Sequence, residues 1–128
     1  MYSHVIVGAR DLDEARKFYD AIFAAIGVRP GVSPEDYRIF WMTPTGLFGA
    51  TIPINGEAAS FGNGGTIGFA MDSPEQVDAW HAAGVANGGS SCEDPPGVRE
   101  GGAAGRMYLA YLRDPTGNKL CALHRLAD

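Results

Sequence analysis

No stretch of this sequence carries the run of about 18 apolar residues that would cross a bilayer. Its first residues, Met1-Tyr2-Ser3-His4, lack a basic segment followed by an apolar one. A membrane span and a secretory leader are therefore not expected, and a cytoplasmic setting is. Basic residues are in the minority, with 10 Lys and Arg against 15 Asp and Glu, a net charge of −5 and a pI near 5.0. No basic stripe is available to neutralise phosphates, which argues against nucleic acid as a partner. Cysteine is scarce: Cys92 and Cys121 are the only two, too few for a disulfide framework. A chain of 128 residues can bury a core without one, and that length fits a single domain, residues 1–128. Gly62-Asn63-Gly64-Gly65 is not a phosphate loop, because no Lys-Ser/Thr and no helix follow it.

The chain does carry two similar passages. Tyr2–Gly8 is a short apolar, β-branched run and predicts a strand. Asp11, with Glu14 three residues on, starts a helix, and Ala15, Phe18, Tyr19, Ile22, Phe23 and Ile26 follow at helical spacing until Gly27 ends it. Tyr37–Thr43 and Leu47–Ile54 read as strands around Pro44-Thr45-Gly46, with a short edge strand at Val28–Val32. After the linker Asn55–Gly65 the order recurs. Thr66–Met71 is a strand, and Ser73, Pro74 and Gln76 open a helix whose Val77, Trp80 and Val85 face the core. Tyr108–Arg113 and Lys119–Arg125 then flank Asp114-Pro115-Thr116-Gly117-Asn118.

Residue by residue, Ser3-His4-Val5-Ile6-Val7 aligns with Gly65-Thr66-Ile67-Gly68-Phe69, 62 positions later, and Phe18-Tyr19 with Trp80-His81. Thr43-Pro44-Thr45-Gly46 aligns with Asp114-Pro115-Thr116-Gly117 at 71 positions. The second copy therefore holds nine more residues, which fall in the glycine- and proline-rich stretch Cys92–Gly105. This repeat predicts two βαβββ modules, at about 1–56 and 64–128, in an α+β fold. A curved mixed sheet would surround a cleft, with the helices outside.

Aromatic residues on the hairpins are candidates for lining that cleft, Trp41, Phe48 and Tyr108 among them. Alternate residues of a strand share a face, so Phe40 and Trp41 cannot both point inward. Some of these rings would be core, and the others would form an apolar pocket suited to a flat ligand. The inserted stretch Pro95–Gly102 has few large apolar residues and reads as a mobile lid, with Arg99 as the charge available to a small anionic ligand. His81 and His124 read as solvent-side residues.

The tail YLRDPTGNKLCAL resembles the RDPxGNxxE ending of the vicinal oxygen chelate superfamily, which includes glyoxalase (lactoylglutathione lyase), bleomycin-resistance proteins and extradiol dioxygenases. The opening SHVIVGARDLDEARKFYDAIF is similar to that superfamily's first strand and helix. The resemblance implies a divalent metal held by His and Glu side chains at positions that fall on His4, Ala50, Thr66 and Cys121. Of these, His4 matches, Cys121 replaces the Glu, Thr66 replaces a His, and Ala50 has no ligating atom. A metal centre for catalysis wants three protein ligands and an open position. The expectation is thus a weakly bound divalent metal at His4 or none at all.

His4 is also a candidate acid or base, and Cys121 a candidate nucleophile beside it. Against these stands a plain reading of His4 as a hydrogen-bonded strand histidine and Cys121 as a small buried apolar residue. Two functions follow from the resemblance. One is a lyase- or dioxygenase-like enzyme on a small oxygenated or thiol-conjugated metabolite. The other is a metal-free binding protein of the bleomycin-resistance type. A homodimer is implied with either.

Overall fold

Val5 and Val7 alternate with His4, Ile6 and Gly8 along the first strand, β1 (His4–Gly8), in a computed structural model that describes residues 1–127. Val7 is buried on the helix side, whereas His4 and Ile6 are exposed on the open face. Helix α1 (Leu12–Ala24) begins where the sequence places it, with the Asp11 carboxylate accepting the Glu14 N–H at 2.9 Å. β2 (Arg38–Thr43) and β3 (Gly46–Thr51) form the first hairpin, and β1 lies parallel to β3. The expected strand at Val28–Val32 reduces to one bridge, Val32 with Phe40. Side chains of α1 take the backbone that a strand would need: Asp20 accepts the Gly31 N–H, and Arg16 donates to the Gly31 carbonyl.

In the second module β4 (Ile67–Ala70) lies parallel to β8 (Lys119–Arg125), which pairs antiparallel with β7 (Arg106–Arg113). Helix α2 (Pro74–Ala86) is capped by Ser73, whose hydroxyl accepts the Gln76 N–H, while the Gln76 side chain accepts from Asp72 N–H. The far edge of β7 carries two further strands, β5 (Ser90–Ser91) and β6 (Gly97–Glu100). So the inserted stretch is not the unstructured lid that its composition suggests. Its backbone pairs with β7 without needing apolar side chains, and a short 3-10 turn at Gly102–Ala104 returns the chain. That turn closes through Gly101 N–H to the Gly105 carbonyl, with Gly105 at φ +81°.

Among the described residues the result is α+β: two mixed sheets, of three and five strands, with two α-helices packed on one side. The apolar faces of both sheets meet α1 and α2 in one core of Phe18, Tyr19, Ile22, Trp41, Trp80 and Leu112. Val85, expected in that core, is 49% exposed. It follows Trp80 by five residues, about 140° round the helix, and Gly84 takes the buried position against Leu112 and Ile22 instead. Among the described residues no helix is long and apolar enough to cross a membrane.

The RDPTGN turn ties the modules together. Asp114 Oδ1 accepts the backbone N–H groups of Thr116, Gly117 and Asn118, and Oδ2 accepts the Tyr19 hydroxyl at 2.6 Å and the Asn118 amide at 2.8 Å. From the same turn Asn118 donates to the Gly8 carbonyl, and Thr116 accepts the Arg10 N–H. Burial, then the Asp114 carboxylate beside it, pushes the Tyr19 phenol well above its ordinary range.

Candidate functional site

β1 and β4 each keep one edge that pairs with no other strand among the described residues. The seam between them is closed at one end, where Asn118 bonds the Gly8 carbonyl and Ala59 of the linker packs on Gly8. Toward His4 at the start of β1 and Ala70 at the end of β4 it opens into a cavity of about 410 Å³. Phe23 of α1, Trp41, Phe48 and Phe69 form its floor, and His4 and Gly68 stand on its wall. The four floor rings sit 5.4–6.3 Å apart, centroid to centroid, in tilted and edge-on contacts.

Of the residues singled out in the sequence, the structure brings His4, Trp41 and Phe48 together at this cavity. Trp41 and Phe48 are also core, 1% and 7% exposed, and the indole N–H of Trp41 is taken by Asp20 at 2.8 Å. His4 is exposed, with Nδ1 in a 2.7 Å hydrogen bond to the Ser3 hydroxyl, and Nε2 has no protein partner among the described residues. The other candidates lie elsewhere. Thr66 is exposed, just ahead of β4. Tyr108 turns to the helix side and donates to Asp78 of α2 at 2.8 Å, which raises its phenol above the usual range. Arg99, on β6, folds its guanidinium back onto the carbonyls of Asp94 and Pro95, so the expected ligand-facing charge is spent within its own loop.

Cys121 sits on β8 opposite Gly68 and Tyr111, only 6% exposed, and does not line the cavity that His4 lines. Burial raises its thiol above the ordinary range, the Tyr111 hydrogen bond opposing this in part, so the reactive thiolate is disfavoured. His124 is not solvent-side. It is half-buried and donates from Nδ1 to the Met71 carbonyl at 3.0 Å. His81 shares a 2.9 Å hydrogen bond with Ser91, and burial lowers its imidazole below the usual value.

Over residues 2–122 the chain matches the Glyoxalase/Bleomycin resistance protein/Dioxygenase superfamily. The chain belongs to this superfamily. It is 60% identical to a glyoxalase/bleomycin resistance protein from Albidiferax ferrireducens T118, over 97% of this chain and 98% of that one, with a TM-score of 0.93. The same fold, at 20% identity, is found in two further solved structures. One is a glyoxalase/bleomycin resistance protein/dioxygenase family enzyme from Burkholderia phytofirmans PsJN (TM-score 0.73, 97% and 98% of the two chains). The other is a lactoylglutathione lyase from Agrobacterium tumefaciens (TM-score 0.67, 97% and 92%). No curated protein matches the chain.

The divalent metal implied by the superfamily resemblance does not fit the residues present. Among the described residues no three His, Cys, Asp or Glu side chains converge on one point. Ala50 is fully buried on the helix side of β3, opposite Val7, and its neighbours Gly49 and Thr51 take the open-face positions. His4 already uses one ring nitrogen on Ser3. What the arrangement offers is a recess with an aromatic floor, bordered by Met1, Tyr2 and His4 and by the unpaired edges of β1 and β4.

Sequence reasoning missed Phe69 and Gly68 as site residues, although the repeat had aligned them with Val7 and Ile6 of β1. Phe23 was read as core alone. It is 3% exposed, yet one side of its ring faces the cavity.

Proposed function

We propose that this superfamily member is a metal-independent small-molecule-binding protein whose ligand enters the seam between β1 and β4. The observation that carries the reading is the apolar cavity itself, of a volume usual for ligand sites, with the superfamily-position histidine His4 on its wall. The ill-fitting ligand set supports binding over the lyase or dioxygenase chemistry of metal-dependent relatives. Elemental analysis of protein purified without chelator should find well under one divalent metal per chain. Titration with zinc, nickel, manganese or iron(II) should leave the unfolding temperature unchanged. A stoichiometric metal that survives dialysis and is lost in His4→Ala would return the enzyme reading to first place.

A homodimer belongs to the same proposal. Ile6 and Met42 are 41% and 52% exposed, and strand alternation puts both on the open face of the first sheet, where a second copy would cover them. Light scattering should give twice the chain mass, and Met42→Lys should shift it toward the monomer.

A further inference from the structure

Positive charge gathers on the open face of the second sheet, in a chain whose net charge is −5. Leu112 of β7 and Leu120 of β8 are buried against the helices, so strand alternation turns Tyr111, Arg113, Lys119 and Cys121 the other way. The same alternation brings Arg125 to this face, and Arg99 of β6 joins it opposite Met107. Lys119 and Arg113 are direct cross-strand partners, and like charges so placed destabilise a ladder. No strand position of this face is acidic. Glu100, the acidic residue of β6, stands on the helix side and pairs with Arg106.

The negative charge that meets these cations comes from the loop before β6. Glu93 pairs its carboxylate with the Lys119 ammonium, which sits 5.1 Å over the centre of the Tyr111 ring. The hydrogen bond to Glu93 holds that ammonium above its ordinary range, so it stays charged. The Lys119 side chain is 22% exposed and that of Glu93 45%. Among the described residues Glu93 alone, glycines aside, has a positive φ, +57°, which a side chain disfavours. Arg99 holds the same loop through the carbonyls of Asp94 and Pro95. The loop therefore has a tether that does not depend on the Glu93 carboxylate, and that carboxylate is free to exchange.

We propose that Lys119, seated over Tyr111 with Arg113 beside it, binds the phosphate group of a small phosphate monoester, and that Glu93 fills this site internally until the ligand displaces it. The site is separate from the seam: Glu93, Tyr111, Arg113 and Lys119 do not line that cavity. Exchanging one carboxylate for another adds no charge, whereas a phosphate monoester brings nearly two negative charges to the same cations. Displacement also frees the Glu93 backbone from its left-handed conformation.

The test is calorimetric titration at low ionic strength with phenyl phosphate and benzoate, which share a ring and differ in charge. Phenyl phosphate should bind, and benzoate should bind about tenfold more weakly or less. Glu93→Gln should tighten phenyl phosphate by about 3- to 10-fold. Glu100→Gln removes the same charge from the other face of the sheet and should change the affinity by less than about twofold. Lys119→Met should weaken phenyl phosphate at least about tenfold, alone or combined with Glu93→Gln, while Lys119→Arg retains binding and shows that the charge is what counts. Benzoate binding as well as phenyl phosphate would overturn the dianion class. An unchanged affinity in Glu93→Gln, or an equal gain in Glu100→Gln, would overturn the role of Glu93. Binding that survives Lys119→Met, or no binding of phenyl phosphate even in Glu93→Gln, would overturn the site.

Discussion

Replacing Asp114 by Ala should cost about 3–4 kcal/mol of stability, read as a lowered urea midpoint with an unchanged slope. One carboxylate here satisfies five donors: three backbone N–H groups of its own turn, the Asn118 amide and the Tyr19 hydroxyl. The residue is only 6% exposed and Tyr19 fully buried, so water cannot replace what the substitution removes. Removing the acceptor leaves a buried phenol and backbone amides unpaired, and unpaired buried groups cost more than the bonds themselves contributed. Asp114→Asn keeps the shape and part of the acceptor capacity, and should cost less than Asp114→Ala. Tyr19→Phe removes a single donor and should fall lower still. A loss below about 1 kcal/mol for Asp114→Ala would mean that the turn is held by its backbone alone.

Phe23→Ala should destabilise by a similar amount, about 3–5 kcal/mol, for a different reason. The ring is 3% exposed and touches Tyr19, Trp41 and Phe48 of the first module and Phe69 of the second. Its removal costs the transfer energy of a benzyl group and leaves a void that merges with the existing cavity. Part of that void opens to the seam, so the measured cost should lie nearer the lower end. The enlarged recess should also bind a bulky apolar probe more tightly than the parent does, a gain that a purely structural side chain would not give. Thermal unfolding with and without naphthalene separates the two contributions.

Much of the α+β fold was legible in the sequence from local signals. Both helix starts, the ends of β2 and β7, and both hairpins follow from caps and turn residues, which act locally. What was not legible depended on distant partners. The Val28–Val32 segment has strand-like residues, but its Gly31 is claimed by Asp20 and Arg16 from α1, a contact no local pattern announces. The Cys92–Gly105 stretch has the composition of a loop, yet β7 offered it a free edge, and backbone pairing asks little of side chains. The site divides in the same way. His4, Trp41 and Phe48, chosen by position and type, line the seam cavity, whereas Arg99 and Tyr108 were assigned from where their backbones run and have side chains committed elsewhere. Asp114, the most connected side chain of the RDPTGN motif, was read as a sign of family, and its structural role explains why that motif reports the fold so well and the reaction so poorly.

The unpaired edges of β1 and β4 have a consequence for solubility. A strand edge that shows its N–H and C=O groups to solvent is a template on which other chains add, and soluble proteins blunt such edges with charges, proline or bulges. β1 and β4 carry none of these: His4–Gly8 and Ile67–Ala70 contain no Asp, Glu, Lys or Arg, and no proline. Here the two bare edges are turned toward each other across a gap pinned at the Gly8 end, so each screens the other from a third strand. The space proposed for a ligand would thus also keep two aggregation-prone edges out of reach, and variants that splay the two sheets apart are those expected to precipitate.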